Sequence, residues 1–532
     1  MKPNEWNEGL NHIDSELVEE YVTQKEAFTK NKKPYWFAAV AAALVLAIGI
    51  GIFAGGNGIP GGTTGPTLLG SNPATDPTPS ESDPTTGPSD PTIGPGDPTT
   101  GPSDPSTGQP DDFVTVPLTG LLAAPSYPKM AQYPNMDDFG DDWNAYDAAY
   151  STWRKSQLEQ YDQPKGYADS LTDFFLRSNR EFLTGEGNLA YSPVNVYLAM
   201  AMLAETTDGN SRQQILDLFG VDTIENLRIQ TNYLWNAHYS DDGQTTLRLA
   251  NSLWLDNLYT FRQETVDRLA SLYYASVFSD DLGTEGSNRQ LRTWLNENTG
   301  GLLKEETQKI KFPERTCFAL ASTIYFKAGW QTEFSEERTV DDTFHTPAGN
   351  TTVSFMQNTV EGVCYYGSNF CAVRLELTGN NGMWIILPEE GVTVAQVLAG
   401  EEYLQLILNP NGWKNCRDAN INIKLPKFDV TSQSDLIKGM KNLGLVDIFD
   451  PNLSDFTPMT TDSDRLFVSQ INHAVRVTID EKGVEAAAFT VIMAEDDACP
   501  SDQIDFVADR PFLFVISSRD NLPLFSGVVS EP

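Results

Sequence analysis

The run 471–495, INHAVRVTIDEKGVEAAAFTVIMAE, sets the tightest limit on what this chain can become, because a strand-forming pattern passes through a glycine into small residues and then an acidic segment. Ahead of the glycine, Ala474, Arg476, Thr478 and Asp480 alternate with Val475, Val477 and Ile479, the period of a half-buried strand. Past Gly483 the alternation resumes: Val484, Ala486, Ala488, Thr490 and Ile492 share one face, Glu485, Ala487, Phe489 and Val491 the other. Every side chain on the first face is small or apolar, so the segment can stand outside as a loop or enter a sheet without burying a charge.

Further stretches fall in a fixed order along the chain: NLAYSPVNVYLAMAML (188–203), LANSLWLD (249–256), LRTWLNENTGGLLKE (291–305), FALASTIYFKAGWQTEF (318–334), WIILPEE (384–390), IKLPKFDV (423–430) and DRPFLFVISSRDNLPLFSGVVSEP (509–532). With TIDEKGVEAAAFT (478–490) they resemble the serpin family, from about Tyr167 to the C-terminus. The resemblance implies an α+β fold with a large mixed, mainly antiparallel sheet A, two further sheets, about nine helices and an exposed reactive loop, over residues 165–532.

The activity so implied is physical rather than chemical. A serine-type endopeptidase attacks the loop and forms an acyl-enzyme, and the hinge half of the loop then enters sheet A before the ester is hydrolysed. Insertion of about fifteen residues at roughly 3.3 Å each carries the protease some 50 Å. The hinge is Glu481, Gly483, Val484, Glu485, Ala486, Ala487 and Ala488, with Gly483 permitting the bend and the alanines burying without a clash. His473, ten residues before Gly483, matches a histidine that joins a hydrogen-bonded cluster where sheet A parts. Its partners by position are Ser192, Asn195 and Ser322, the last standing where the family has Asn. The resemblance implies a monomer without cofactor or metal. A serpin fold kept only as a cell-surface binding or adhesion module is the alternative reading, and it would have no use for an insertable hinge.

Two registers are open for the bond attacked. In the family the scissile residue lies about sixteen positions past the hinge Glu, which from Glu481 falls on Asp497, giving Asp497-Ala498. Counted back from Arg510 and Pro511 the loop is longer, which shifts the bond toward Cys499; Cys499-Pro500 is a poor choice because proline after the bond resists most serine proteases, which leaves Ala498-Cys499 as the second register. Asp497 calls for a cationic pocket and an Asp-specific protease. Ala498 calls for a small apolar pocket, as in elastase-like or subtilisin-like enzymes, the commoner exported proteases.

The first 112 residues are a different kind of polymer. Segment 35–54, YWFAAVAAALVLAIGIGIFA, carries no charge and matches a bilayer core as a helix. Lys30, Lys32 and Lys33 precede it and no Lys or Arg follows until Lys129, so residues 1–34 are expected in the cytoplasm and the rest outside, a single-pass membrane protein. A cleaved secretory signal is the competing reading, set against by the long acidic lead and the length of the apolar run. Residues 55–112 are rich in Gly, Pro, Ser, Thr and Asp and from Asp83 repeat as DPTTGPS, DPTIGPG, DPTTGPS, DPSTGQP, an extended spacer. Residues 113–164 scatter aromatics among acids and prolines and are expected to pack on the main domain, WNAYDAAYSTWRKSQLEQY as an added helix.

Catalysis finds no constellation. The four histidines are His12, His238, His345 and His473, and no G-x-S-x-G, H-E-x-x-H or P-loop occurs. A net charge of -37 opposes nucleic acid and anionic lipid. Five cysteines, at 317, 364, 371, 416 and 499, are too scattered for a disulfide framework or metal cluster; Cys317 reads as a buried hydrophobe, Cys499 as a free thiol, and Cys364 and Cys371 as a pair that a hairpin could bridge.

Overall fold

The computed structural model describes residues 116–140, 142–308, 310–314, 316–460, 462, 466–484 and 502–532. Segment 35–54, the spacer, and residues 485–501 with the rest of the hinge and both candidate scissile bonds lie outside these. Among the described residues no helix is long and apolar enough to cross a membrane.

The apolar runs singled out in the sequence meet in one central sheet. Its strands are β1 (Leu121–Ala123), β2 (Thr245–Asp256), β3 (Ala275–Asp280), β4 (Phe318–Gly329), β5 (Phe428–Asp435), β6 (Ile471–Ile479) and β7 (Gly483–Val484), in the spatial order β1-β3-β2-β4-β7-β6-β5. An eighth strand, Ser240–Asp241, pairs with the start of β2. β2 and β4 are antiparallel from Thr245↔Ala328 to Leu255↔Phe318. Both are buried nearly throughout because both faces are covered. One face lies on the main core, through Leu247, Leu249, Ile324 and Phe326. The other packs Trp254, Ala319 and Ala321 under Leu291, Trp294 and Leu295 of a crossing helix.

Helices used below are α1 (Trp143–Tyr161), α2 (Pro193–Thr206), α3 (Ile224–His238), α4 (Gln263–Leu272) and α5 (Glu285–Asn298), the crossing helix just named. α2 is apolar apart from Asn195 near its start and Glu205 and Thr206 at its end, and every one of its residues is buried, with Ser192 as its N-cap and Pro193 in its first turn. The described residues hold eleven α-helices, against the nine expected. The two in excess of nine are α1, from the added segment, and the single turn Lys304–Thr307.

The second sheet corrects the expectation of two further sheets. Strands Gln503–Val507, Cys416–Pro426, Gly349–Tyr366, Phe370–Glu376, Gly382–Pro388, Phe512–Ser517, Pro523–Val529 and Leu189–Tyr191 follow one another by hydrogen bonding, and Val340–Thr346 joins at the side of Gly349–Tyr366. The arrays merge because Gly349–Tyr366 runs for 18 residues, long enough to pair with Cys416–Pro426 along one stretch and with Phe370–Glu376 at its end.

The added segment does more than contribute a helix. β1 extends the edge of the central sheet, with Leu121 opposite Phe278. Tyr127 stacks in an aromatic column with Trp235, Tyr239 and Tyr274, centroids 6.0, 5.5 and 6.0 Å away. Trp153 Nε1 donates to Asp242 Oδ2 at 3.1 Å and Gln160 Nε2 to the Tyr239 carbonyl at 2.7 Å. Two thiol expectations need correction: Cys317 is half-buried beside the Tyr259 hydroxyl at 3.1 Å rather than fully buried, and Cys364 and Cys371 are free thiols. Cys364 stands opposite Val373 and Cys371 opposite Tyr366, so the two are offset rather than directly paired.

Candidate hinge and sheet-opening cluster

β6 ends in a turn that its own side chains hold. Asp480 Oδ1 accepts the Lys482 and Gly483 amides at 2.8 and 3.2 Å, and the Asp480 amide donates back to the Gly483 carbonyl at 3.1 Å. Trp330, just past β4, donates its indole to the Asp480 carbonyl at 2.8 Å and its amide to the Lys482 carbonyl at 2.9 Å. Glu481 is 5% exposed. Its Oε1 takes the Lys427 ammonium and the Thr339 hydroxyl, both at 2.6 Å. Burial pushes its pKa up, but those two donors outweigh burial and hold the carboxyl below its ordinary range.

The turn delivers β7 into the sheet between β4 and β6. Gly483 faces Gly329 and Val484 faces Ala328 on one side, and Val484 faces Ile479 on the other. The demand for glycine here is steric as much as torsional. A Cβ at 483 would lie 2.3 Å from the Ala328 carbonyl oxygen and 2.7 Å from the Gly329 Cα. Val484 is buried in the main core, on the inward face the alternation assigns to it. At the opposite end β4 and β6 pair directly and in parallel, at Ile471↔Leu320 and Asn472↔Ala321. Between these two contacts, Ser322–Lys327 of β4 and the middle of β6 face each other with no described strand between them.

Beside the direct pairs lies the cluster around His473. The imidazole is 3% exposed, and its Nε2 accepts the Ser192 amide at 3.1 Å. It is therefore neutral with its proton on Nδ1, and burial lowers its pKa from the ordinary value to about 4. Tyr191 packs edge-on against the ring at 5.4 Å. Ser192 Oγ donates to the Leu524 carbonyl at 2.6 Å and accepts the Asn195 amide at 3.3 Å as the N-cap of α2. Ser322 Oγ meets Asn195 Oδ1, and also Asn251 Oδ1 at 2.8 Å.

All four residues expected in the cluster are thus brought together. His473 receives the Ser192 backbone N–H, while the Ser192 hydroxyl is turned away to Leu524. A fifth member, Asn251 of β2, was missed, although it is directly opposite Ser322 in the strand register. The signal was present in LANSLWLD, where an amide interrupts an apolar run and needs a buried partner. Of the hinge, Glu481, Gly483 and Val484 are placed as above. Glu485, Ala486, Ala487 and Ala488, with Asp497, Ala498 and Cys499, lie outside the described residues.

A family model described as serpin (serine protease inhibitor) matches residues 169–532. The chain belongs to the serpin family. Serpins are mostly protease inhibitors rather than enzymes. Among similar curated serpins, rat leukocyte elastase inhibitor A is 29% identical over 357 residues, 65% of this chain and 93% of the relative. Mouse alpha-1-antitrypsin 1-4 is 29% identical over 392 residues, 71% of this chain and 92% of the relative. The native state of tengpin, a thermophilic serpin, superposes with a TM-score of 0.63 at 22% identity, covering 70% of this chain and 95% of tengpin, a likeness of fold. In serpin terms the central sheet is sheet A.

Proposed function

We propose that this serpin is an irreversible suicide-substrate inhibitor of a serine-type endopeptidase, carried on the outer side of a membrane by segment 35–54 and held off its surface by the 55–112 spacer. The observation that carries the reading is the seam in sheet A. β7 is lodged at one end of it, and β4 and β6 pair directly only at the other. Continuing the β7–β4 register along the seam would set Glu485 opposite Lys327, Ala486 opposite Phe326, Ala488 opposite Ile324 and Thr490 opposite Ser322. Phe326 and Ile324 belong to the main core, so the inward positions of an inserted hinge are alanines. No charge is then buried, and each inserted residue gains ladder hydrogen bonds on both sides. Insertion beyond Thr490 requires the Leu320↔Ile471 and Ala321↔Asn472 pairs to separate, beside the His473 cluster.

The target is an elastase-like or subtilisin-like protease if Ala498 is the scissile residue, and an Asp-specific one if Asp497 is. Two relatives named for antitrypsin and elastase inhibition favour the inhibitory reading over a display module. Incubating the full chain with a panel of elastase-like, subtilisin-like and Asp-specific proteases should give, for at least one, a covalent complex that survives SDS. The same chain nicked in the loop should melt at a much higher temperature than the intact one. Cleavage by every protease without complex or stabilisation would overturn the proposal in favour of a non-inhibitory serpin.

A further inference from the structure

Around His473 the two strands of the seam are each tied to α2. β4 and β6 are each held to a different residue at the N-terminus of α2: His473 of β6 to the amide of the N-cap Ser192, and Ser322 of β4 to the Asn195 side chain in the first turn. Among the described residues no hydrogen bond joins His473 to Ser322 directly. Parting the strands therefore breaks one of two bonds to α2. Losing His473–Ser192 would strand a buried backbone N–H and a buried imidazole nitrogen together. Losing Ser322–Asn195 strands the buried Asn195 amide but not the Ser322 hydroxyl, because Asn251 Oδ1 already stands 2.8 Å from Ser322 Oγ.

Asn251 travels with Ser322. The two are register partners in the antiparallel β2–β4 pair. Asn251 Nδ2 donates to the Tyr273 carbonyl at 3.3 Å, and the Tyr273 hydroxyl donates at 2.9 Å to Glu205, a carboxylate 1% exposed that also takes Arg228 and Arg268 at 2.7 and 2.8 Å. The acceptor is thus fixed to β2 and to the residue that closes α4, on the same side of the seam as Ser322.

Ser322 has one hydroxyl proton and two side-chain oxygens converge on it, while Asn195 Nδ2 is buried without a partner. Turning the isosteric Asn195 amide about its axis resolves both: Nδ2 donates to Ser322 Oγ, Ser322 donates to Asn251, and Asn251 donates to Tyr273. In that directed chain the link across the seam is the one donor that β4 can lose while its own hydroxyl stays bonded.

We propose that Asn251 is a positioning residue for sheet opening: a standing acceptor that keeps Ser322 satisfied when β4 parts from Asn195, so that the seam releases on the β4 side while His473 stays on Ser192. The proposal rests on the insertion reading above and adds the bond that yields. The test uses the full chain and a labelled synthetic peptide of its residues 485–495, EAAAFTVIMAE, with annealing followed by fluorescence anisotropy and melting followed in parallel. In Asn251→Ala the Asn195 amide can turn back so that its Oδ1 accepts the Ser322 hydroxyl in the closed cluster, but the open one offers that hydroxyl no acceptor. Annealing should slow about tenfold, equivalent to about 1.4 kcal/mol on the barrier. Ser322→Ala removes the hydroxyl that needs a partner, so Asn251→Ala/Ser322→Ala should anneal within about twofold of Ser322→Ala alone. A merely structural Asn251 has the opposite sign: its loss would lower the melting temperature and speed annealing. Annealing of Asn251→Ala at or above the wild-type rate, or no rescue by the second substitution, overturns the proposal. Failure of wild-type chain to take up peptide would instead strike the insertion reading itself.

Discussion

Lowering the pH from 7.5 to 5 should destabilise the native state through His473, and the structure sets the size of the effect. The imidazole is buried and neutral, with a pKa of about 4 in the fold, against about 6.5 in an unfolded chain. Below pH 6.5 the unfolded chain takes up a proton that the native state refuses. The stabilisation from a neutral His473 is therefore complete above about pH 6.5 and is lost as the pH falls toward 4. The full span is about 3 kcal/mol, and about 2 kcal/mol of it is gone at pH 5. His238 is also buried with a lowered pKa, and the lowered carboxyls of Glu205 and Glu481 lose stability in the same direction, so wild type alone cannot isolate the effect. His473→Gln can, because its amide oxygen accepts the Ser192 N–H and does not titrate. Melting temperatures of the two proteins, scanned at one rate at pH 7.5, 6 and 5, should converge in favour of the variant by roughly 2–4 °C, given about 1–2 °C per kcal/mol in a domain of this size. Parallel pH dependences would refute the argument, whatever the absolute stability of the variant.

Gly483→Val should drive β7 from its slot, since its Cβ would meet the Ala328 carbonyl at 2.3 Å. A loss of about 1–3 kcal/mol and faster hydrogen exchange at the Ala328 amide are expected, and an unchanged exchange rate would contradict the steric account. Ala486→Arg should convert the inhibitor to a substrate, because the inserted register turns this position toward Phe326 and the core; covalent complex equal to wild type would count against strand insertion. Lys427→Met leaves the buried Glu481 carboxylate with Thr339 as its remaining side-chain donor among the described residues, so its folded pKa should rise toward or past the unfolded value, and the stability this carboxyl loses on acidification should shrink while stability at neutral pH falls; an unchanged acid limb would show the ion pair to be idle. Mass spectrometry of the released C-terminal peptide decides the scissile bond: a start at Ala498 assigns Asp497, a start at Cys499 assigns Ala498, and a start before Met493 removes both.

Much of this molecule is legible along the chain because its signals are local. The alternation in HAVRVTID gives a strand from its period alone, and NLAYSPVNVYLAMAML, singled out by the family resemblance, contains the capped buried helix α2. The spacing in WNAYDAAYSTWRKSQLEQY likewise becomes α1. The family resemblance supplied the joint appearance of Ser192, Asn195, Ser322 and His473, residues up to 281 positions apart that no local pattern would group. What the sequence left open depends on pairing across space. That β1 would cap the edge of sheet A, or that two sheets would merge along Gly349–Tyr366, follows from which strand edges remain unpaired once the others have docked. Gly483 could be read as a bend from the sequence, but only the approach of Ala328 shows that the position excludes a side chain. Asn251 reads as an isolated amide in an apolar strand until the β2–β4 register sets it against Ser322. Strand period and helix caps are written in neighbouring residues, whereas a buried polar atom finds its partner only through tertiary register, and there the chemistry of the seam was decided.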